Sequence, residues 1–317
     1  MAVVSATVVA MVLCTTGTGT AAASNGGGTI SGASTGRSSG CGRPMAAGTV
    51  SPGHKATISI STHGIASSYQ LTVPRSYHPG VADPVIVLFY GWLSNASQFS
   101  AQTGLPAAAA RRGYLVAVPT TPASQWQFNA HGTDADRVDA MVSEISRAYC
   151  VDQRRIYASG FSAGAAFTIL YSCARQGRIA AIATAAVEYQ LGCTRPMPVL
   201  AFHGTTDPFV PYQNDAIGLS LPGVRVRGTQ LNMGDWARLD GCRRTPAARR
   251  MGAHVQRQVW PMCRDGTSVS LYTIVGGGHA WPGADGQWLL GPDGPPMDEI
   301  DATALVVDFF GQHRLAR

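Results

Sequence analysis

The alternation of apolar and polar positions divides the chain into strands and helices that take turns. Residues 56–61 and 68–74 alternate with period two and predict an antiparallel pair joined through His63-Gly64. Pro84 then introduces Val85-Ile86-Val87-Leu88-Phe89-Tyr90, a continuous apolar run that suits a strand buried on both faces. Similar runs predict strands at 114–118, 155–159, 180–186, 198–203 and 268–275. Helical spacing appears over 104–112, 134–149, 163–176 and 300–314; Val138, Met141, Val142 and Ile145 share one face of the second of these. Strands alternating with helices imply an α/β fold with a mostly parallel central sheet covered on both faces. Residues 193–263 carry irregular Arg-rich segments with no clear period.

Domain organisation follows from the same pattern. Residues 24–40 are rich in Gly, Ser and Thr and read as a linker, so one folded domain is expected over 41–317. Val3 to Leu13 is an apolar run followed by small residues and Ala21-Ala22-Ala23, which reads as an export signal over 1–23. It departs from the usual pattern in having no Lys or Arg before the run. No later apolar run is long enough to span a membrane. A secreted, extracellular protein is therefore expected.

The cysteines fit that compartment. If Cys14 leaves with the signal, Cys41, Cys150, Cys173, Cys193, Cys242 and Cys263 remain, an even set suited to disulfides. Many pairings stay open; Cys41–Cys150, Cys173–Cys193 and Cys242–Cys263 is the one expected, with buried free thiols as the alternative. No spacing resembles a zinc site, and neither a metal nor a cofactor is expected. The net charge of +6 comes almost entirely from Arg, with Lys55 the only lysine, and the Arg pairs are scattered without interleaved aromatics. That distribution fits solvated faces rather than nucleic-acid binding.

The chemistry centres on Gly160-Phe161-Ser162-Ala163-Gly164, between a strand and a helix. Gly-x-Ser-x-Gly in that context is a nucleophile elbow. The pattern recurs in Gly32-Ala33-Ser34-Thr35-Gly36 and Gly36-Arg37-Ser38-Ser39-Gly40, which have no strand or helix around them and are compositional. Asp207 follows the 198–203 strand, and His279 follows the 268–275 strand within Gly276-Gly277-Gly278-His279-Ala280-Trp281-Pro282-Gly283. Reactive groups in such a sheet sit beyond the carboxyl ends of its strands, and Ser, Asp, His is the α/β-hydrolase order. A serine hydroxyl needs a base, which His279 would supply, and the imidazole needs an orienting carboxylate, which Asp207 would supply. Asp207 could instead be an Asx-turn residue before Pro208, and His279 a loop histidine. His203 is expected to end its strand as a structural hydrogen-bonder. Backbone N–H groups of Trp92 and Ala163 are the expected oxyanion donors.

Gly-Phe-Ser-Ala-Gly, His203-Gly204-Thr205-Thr206-Asp207-Pro208 and Gly278-His279-Ala280-Trp281-Pro282-Gly283 together resemble the secreted esterases of the feruloyl esterase, acetylxylan esterase and polyhydroxybutyrate depolymerase group (carbohydrate esterase family 1-like). Cys150-Val151-Asp152 followed by Arg155-Ile156-Tyr157 adds to the likeness. The resemblance implies an α/β-hydrolase fold, a Ser162–His279–Asp207 triad, and a substrate pocket lined by Trp281. One departure stands out: Tyr90-Gly91 occupies the place where that group usually carries His-Gly. Tyr90, Trp92, Trp281 and Trp126 are the aromatic candidates for substrate contact, suited to an aromatic acyl group or a hydrophobic polyester.

The expected function is hydrolysis of feruloyl or acetyl esters on plant cell-wall polysaccharide by a monomer. Polyester depolymerisation is the alternative, and a non-catalytic glycan- or surface-binding protein is the rival of another class. A peptidase fits less well, because nothing resembles a propeller or a specificity domain.

Overall fold

In the computed structural model, residues 36–122, 125–218, 226–284 and 295–316 are described; the expected signal segment and the first part of the linker lie outside them. Among the described residues, ten strands form a single sheet. The strands are β1 (Lys55–Thr62), β2 (Ile65–Thr72), β3 (Asp83–Phe89), β4 (Leu115–Pro119), β5 (Val151–Phe161), β6 (Ala181–Ala185), β7 (Val199–Gly204), β8 (Ala247–Arg250), β9 (Val255–Trp260) and β10 (Val269–Ile274). Their order is β1-β2-β4-β3-β5-β6-β7-β10-β9-β8.

The central six strands, β4 to β10 in that order, pair in parallel. Every residue of β3, β4, β6, β7 and β10 is buried, which is what a strand covered on both faces requires. Antiparallel pairs close both sides, β1 with β2 and β8 with β9. The helices are α1 (Ala96–Thr103), α2 (Leu105–Arg111), α3 (Thr133–Ala148), α4 (Ala163–Ala174), α5 (Thr229–Leu239) and α6 (Ala302–Gly311).

Two parts of this architecture differ from the sequence reading. Residues 36–40, read as linker, belong to the folded unit. Ser38 is buried; its Oγ donates to the Tyr149 carbonyl at 2.8 Å and accepts from Val151 N–H at 2.9 Å. A short hydroxyl there satisfies backbone groups at the start of β5, an effect that composition does not show. The irregular stretch 193–263 holds α5, β8 and β9. All four residues of β8 are exposed, so no apolar alternation marked it.

Disulfides join Cys41 to Cys150, Cys173 to Cys193 and Cys242 to Cys263. They tie the N-terminal segment to β5, the end of α4 to the loop after β6, and the end of α5 to the loop after β9. Closing such loops stabilises by roughly 2–4 kcal/mol each. Among the described residues no helix is long and apolar enough to cross a membrane, and no group of three or more His, Cys, Asp or Glu could hold a metal.

Candidate active site

Ser162 lies between β5 and α4 with φ 53° and ψ −121°, left-handed backbone that a non-glycine residue adopts only where its surroundings enforce it. The surroundings here are tight. A Cβ on Gly164 would sit 2.3 Å from the Phe89 carbonyl oxygen and 2.4 Å from that of Tyr90. The first turn of α4 is therefore pressed against the end of β3, and only glycine allows that approach. Ser162 N–H donates to the Ala185 carbonyl at the end of β6, which pins the turn from the other side. Ala163 opens α4, so its N–H has no carbonyl within its own helix to meet.

Asp207 and His279 arrive from neighbouring strands, β7 and β10, which pair in register from Val199–Val269 to Gly204–Ile274. The loops beyond are stitched together: Thr206 N–H and Oγ1 both donate to the Gly277 carbonyl, at 3.0 and 2.8 Å. His279 Nδ1 lies 2.6 Å from Asp207 Oδ2, and His279 Nε2 lies 2.9 Å from Ser162 Oγ. A carboxylate only accepts, so Nδ1 carries the proton and Nε2 is left to accept from the serine hydroxyl. The three residues are thus brought into one hydrogen-bonded line.

Asp207 also forms an Asx-type turn. Its Oδ1 accepts from Phe209 and Val210 N–H at 2.8 and 2.9 Å. One oxygen shapes the loop while the other faces His279. Burial would raise the Asp207 carboxyl, but hydrogen bonds from His203 and His279 outweigh it and hold the group well below the ordinary carboxylate range. The rings of Phe161 and Phe209 pack against the His279 imidazole, with centroids 4.8 and 5.1 Å away, and limit its rotation.

No protein-family model matches the chain. Feruloyl esterase B of Piromyces equi is 31% identical over 224 residues, 65% of this chain, but the match spans only 41% of that relative's length. Feruloyl esterase D of Neurospora crassa (strain ATCC 24698 / 74-OR23-1A / CBS 708.71 / DSM 1257 / FGSC 987) is 25% identical over 258 residues, covering 76% of this chain and 82% of the relative. Among solved structures, an acetyl xylan esterase from Aspergillus awamori superimposes with a TM-score of 0.59 at 13% identity, covering 82% of this chain and all of that one. The chain has the α/β-hydrolase fold. Its sequence is similar to those of proteins named as feruloyl esterases.

Within that fold, three of the four aromatic residues expected to contact substrate are buried in the core. Trp281 is only 1% exposed. Its indole N–H donates to Thr303 Oγ1 at 3.1 Å and its ring meets Phe99 edge-on, so it anchors the His279 loop to the core. Tyr90 is 2% exposed; its hydroxyl accepts from Thr121 N–H at 3.0 Å and its ring packs on Trp126. The tyrosine that replaces the usual histidine is a core residue, neither a hydrogen-bonder to substrate nor a block. Trp126 is buried too, donating to the Tyr90 carbonyl at 2.8 Å. Trp92, 45% exposed on the turn after β3, is the one expected aromatic left at the surface. Its neighbour Leu93 is exposed as well, with φ 60°.

Proposed function

We propose that Ser162, His279 and Asp207 act as a catalytic triad and that the protein hydrolyses carboxylic esters through an acyl-enzyme. The observation that carries this is the continuous line from Ser162 Oγ through both His279 nitrogens to Asp207 Oδ2, with Ser162 held in a left-handed turn. Ser162 Oγ attacks the ester carbonyl as its proton passes to His279 Nε2. Asp207 holds the imidazolium that forms. The oxyanion of the tetrahedral intermediate accepts from the N–H groups of Ala163 and Trp92. Collapse breaks the bond to the alkoxy oxygen, which takes the proton from His279. Water then repeats the sequence on the acyl-enzyme: it gives a proton to His279, attacks the carbonyl, and releases the acid and the free Ser162 hydroxyl.

Feruloyl or acetyl esters on plant cell-wall polysaccharide are the favoured substrates, supported by the activities named for the relatives. The exposed apolar pair Trp92 and Leu93 favours a second reading, a hydrophobic polyester such as poly(3-hydroxybutyrate). A non-catalytic binding protein has no use for a strained serine hydrogen-bonded to an oriented histidine, so that rival is disfavoured. Three disulfides support export, and a monomer is proposed. The test is to assay purified protein on methyl ferulate, acetylated xylan, a short hydroxybutyrate oligomer and a chromogenic acetate, beside Ser162→Ala. Cleavage of the first two is expected. Cleavage of the oligomer alone favours the second reading, and equal rates for wild type and variant on every ester overturn the esterase assignment.

A further inference from the structure

Behind Asp207 lies a second buried acid–imidazole pair that the triad does not use. Glu188, just after β6, and His203 on β7 have side chains 1% and 0% exposed. His203 Nδ1 is 2.8 Å from Glu188 Oε2 and 3.0 Å from Thr229 Oγ1. His203 Nε2 is 2.8 Å from the Val210 carbonyl and 3.5 Å from Asp207 Oδ2. The remaining Glu188 oxygen accepts from Asn232 Nδ2 at 3.2 Å. The Tyr212 ring meets His203 edge-on at 5.7 Å, and its hydroxyl is engaged with Thr273 Oγ1. The phenol of Tyr189 is pushed up by its own burial and by Glu188 and Asp207. The charged groups facing the ring are thus the two carboxylates, with His279 beyond Asp207.

The proton count follows from these partners. A carbonyl only accepts, so Nε2 must carry a hydrogen. Nδ1 faces a carboxyl oxygen, so a proton is shared there too. Were that proton absent, Glu188 and Asp207 would both be charged in one dry volume beside a neutral ring, an arrangement of high cost. With it present, both nitrogens donate, both carboxylates have partners, and a single negative charge remains for His279 to neutralise during turnover. Burial works against a charged ring, yet Glu188 and Asp207 raise the His203 imidazole well above its ordinary range.

We propose that Glu188 and His203 form a positioning pair whose imidazolium faces Asp207 Oδ2 and holds the carboxylate that orients His279. The consequence for catalysis rests on the esterase reading; the protonation of His203 does not. The pair presents its positive end to Asp207. Losing it leaves Asp207 less well compensated and strengthens its grip on protonated His279, which then keeps its proton to higher pH.

Two measurements test this. In wild-type protein labelled with ¹⁵N-histidine, His203, assigned through contacts to Thr229 and Val210, is expected to show two N–H protons and imidazolium nitrogen shifts at pH 8. A neutral ring there overturns the proposal, whether or not any ester is cleaved. In Glu188→Gln, kcat on the ester that wild type cleaves is expected to fall about tenfold with KM little changed, and the acidic limb of kcat/KM to move to higher pH. An unmoved pH profile in a folded variant limits the pair to a structural role and overturns the positioning claim. If the variant does not fold, the wild-type spectrum decides.

Discussion

The indole N–H of Trp281 donates to Thr303 Oγ1, and Thr303 in turn donates to the Thr103 carbonyl at 2.7 Å. Two residues after His279, this contact fastens the histidine loop to α6 and, through α6, to the end of α1. Trp281→Phe removes the donor and keeps most of the packing. It should lower stability by about 1 kcal/mol and leave KM within about twofold for every ester cleaved. A large rise in KM would put Trp281 back among the substrate contacts.

The Tyr90 hydroxyl accepts from the buried Thr121 N–H. Tyr90→Phe leaves the N–H without it and should cost about 1–3 kcal/mol in urea unfolding. Tyr90→His, which restores the residue usual in the resembling esterases, should cost as much or more because the ring no longer fills the space against Trp126. Equal midpoints for wild type and Tyr90→Phe would refute the role given to the hydroxyl.

Trp92 stands exposed on the turn that supplies a proposed oxyanion donor. Trp92→Ala keeps the backbone N–H and removes the aromatic face. For a feruloyl ester KM should rise by about tenfold with kcat nearly constant, the pattern of lost uniform binding, while a small acetate ester should be little affected. A fall in kcat on both esters would mean that the side chain holds the turn in place rather than the substrate.

Asp240, fully buried, accepts from Met197 N–H at 3.0 Å. Burial pushes its carboxyl up to about 7. Its folded value lies above the unfolded value of about 4, so the folded state binds more protons between the two and stability falls as pH rises across that window. Asp83, pushed up to about 6 by burial, acts with the same sign. Asp240→Asn cannot titrate, so the difference in thermal midpoint between variant and wild type should shift in favour of the variant as pH goes from 4 to 7 and level off above. A difference that stays constant over that range would refute the assignment.

Much of this was legible in the chain because the two periods change at the right places. The apolar runs ending at Phe89, Phe161, Gly204 and Ile274 are the strands whose ends carry the turn, Ser162, Asp207 and His279. Side-chain direction was not legible. Tyr90 and Trp281 lie next to functional residues in the turns beyond β3 and β10, where no period tells which side chain points inward. α1 carries one signal in the sequence, Asn95, whose side chain accepts from Gln98 N–H as a helix cap. Glu188 left none, since a single acid after an apolar run says nothing of a histidine 15 positions on.

The central claim is that Ser162 is the nucleophile. The most direct measurement is the intact mass, followed by peptide mapping, of the folded protein after exposure to a fluorophosphonate, beside Ser162→Ala. One adduct per chain, on Ser162, with no labelling of the variant and a loss of ester hydrolysis of at least about 10³-fold, is the predicted result. An unlabelled wild type, or a Ser162→Ala variant that still hydrolyses the same ester at the wild-type rate, would contradict it.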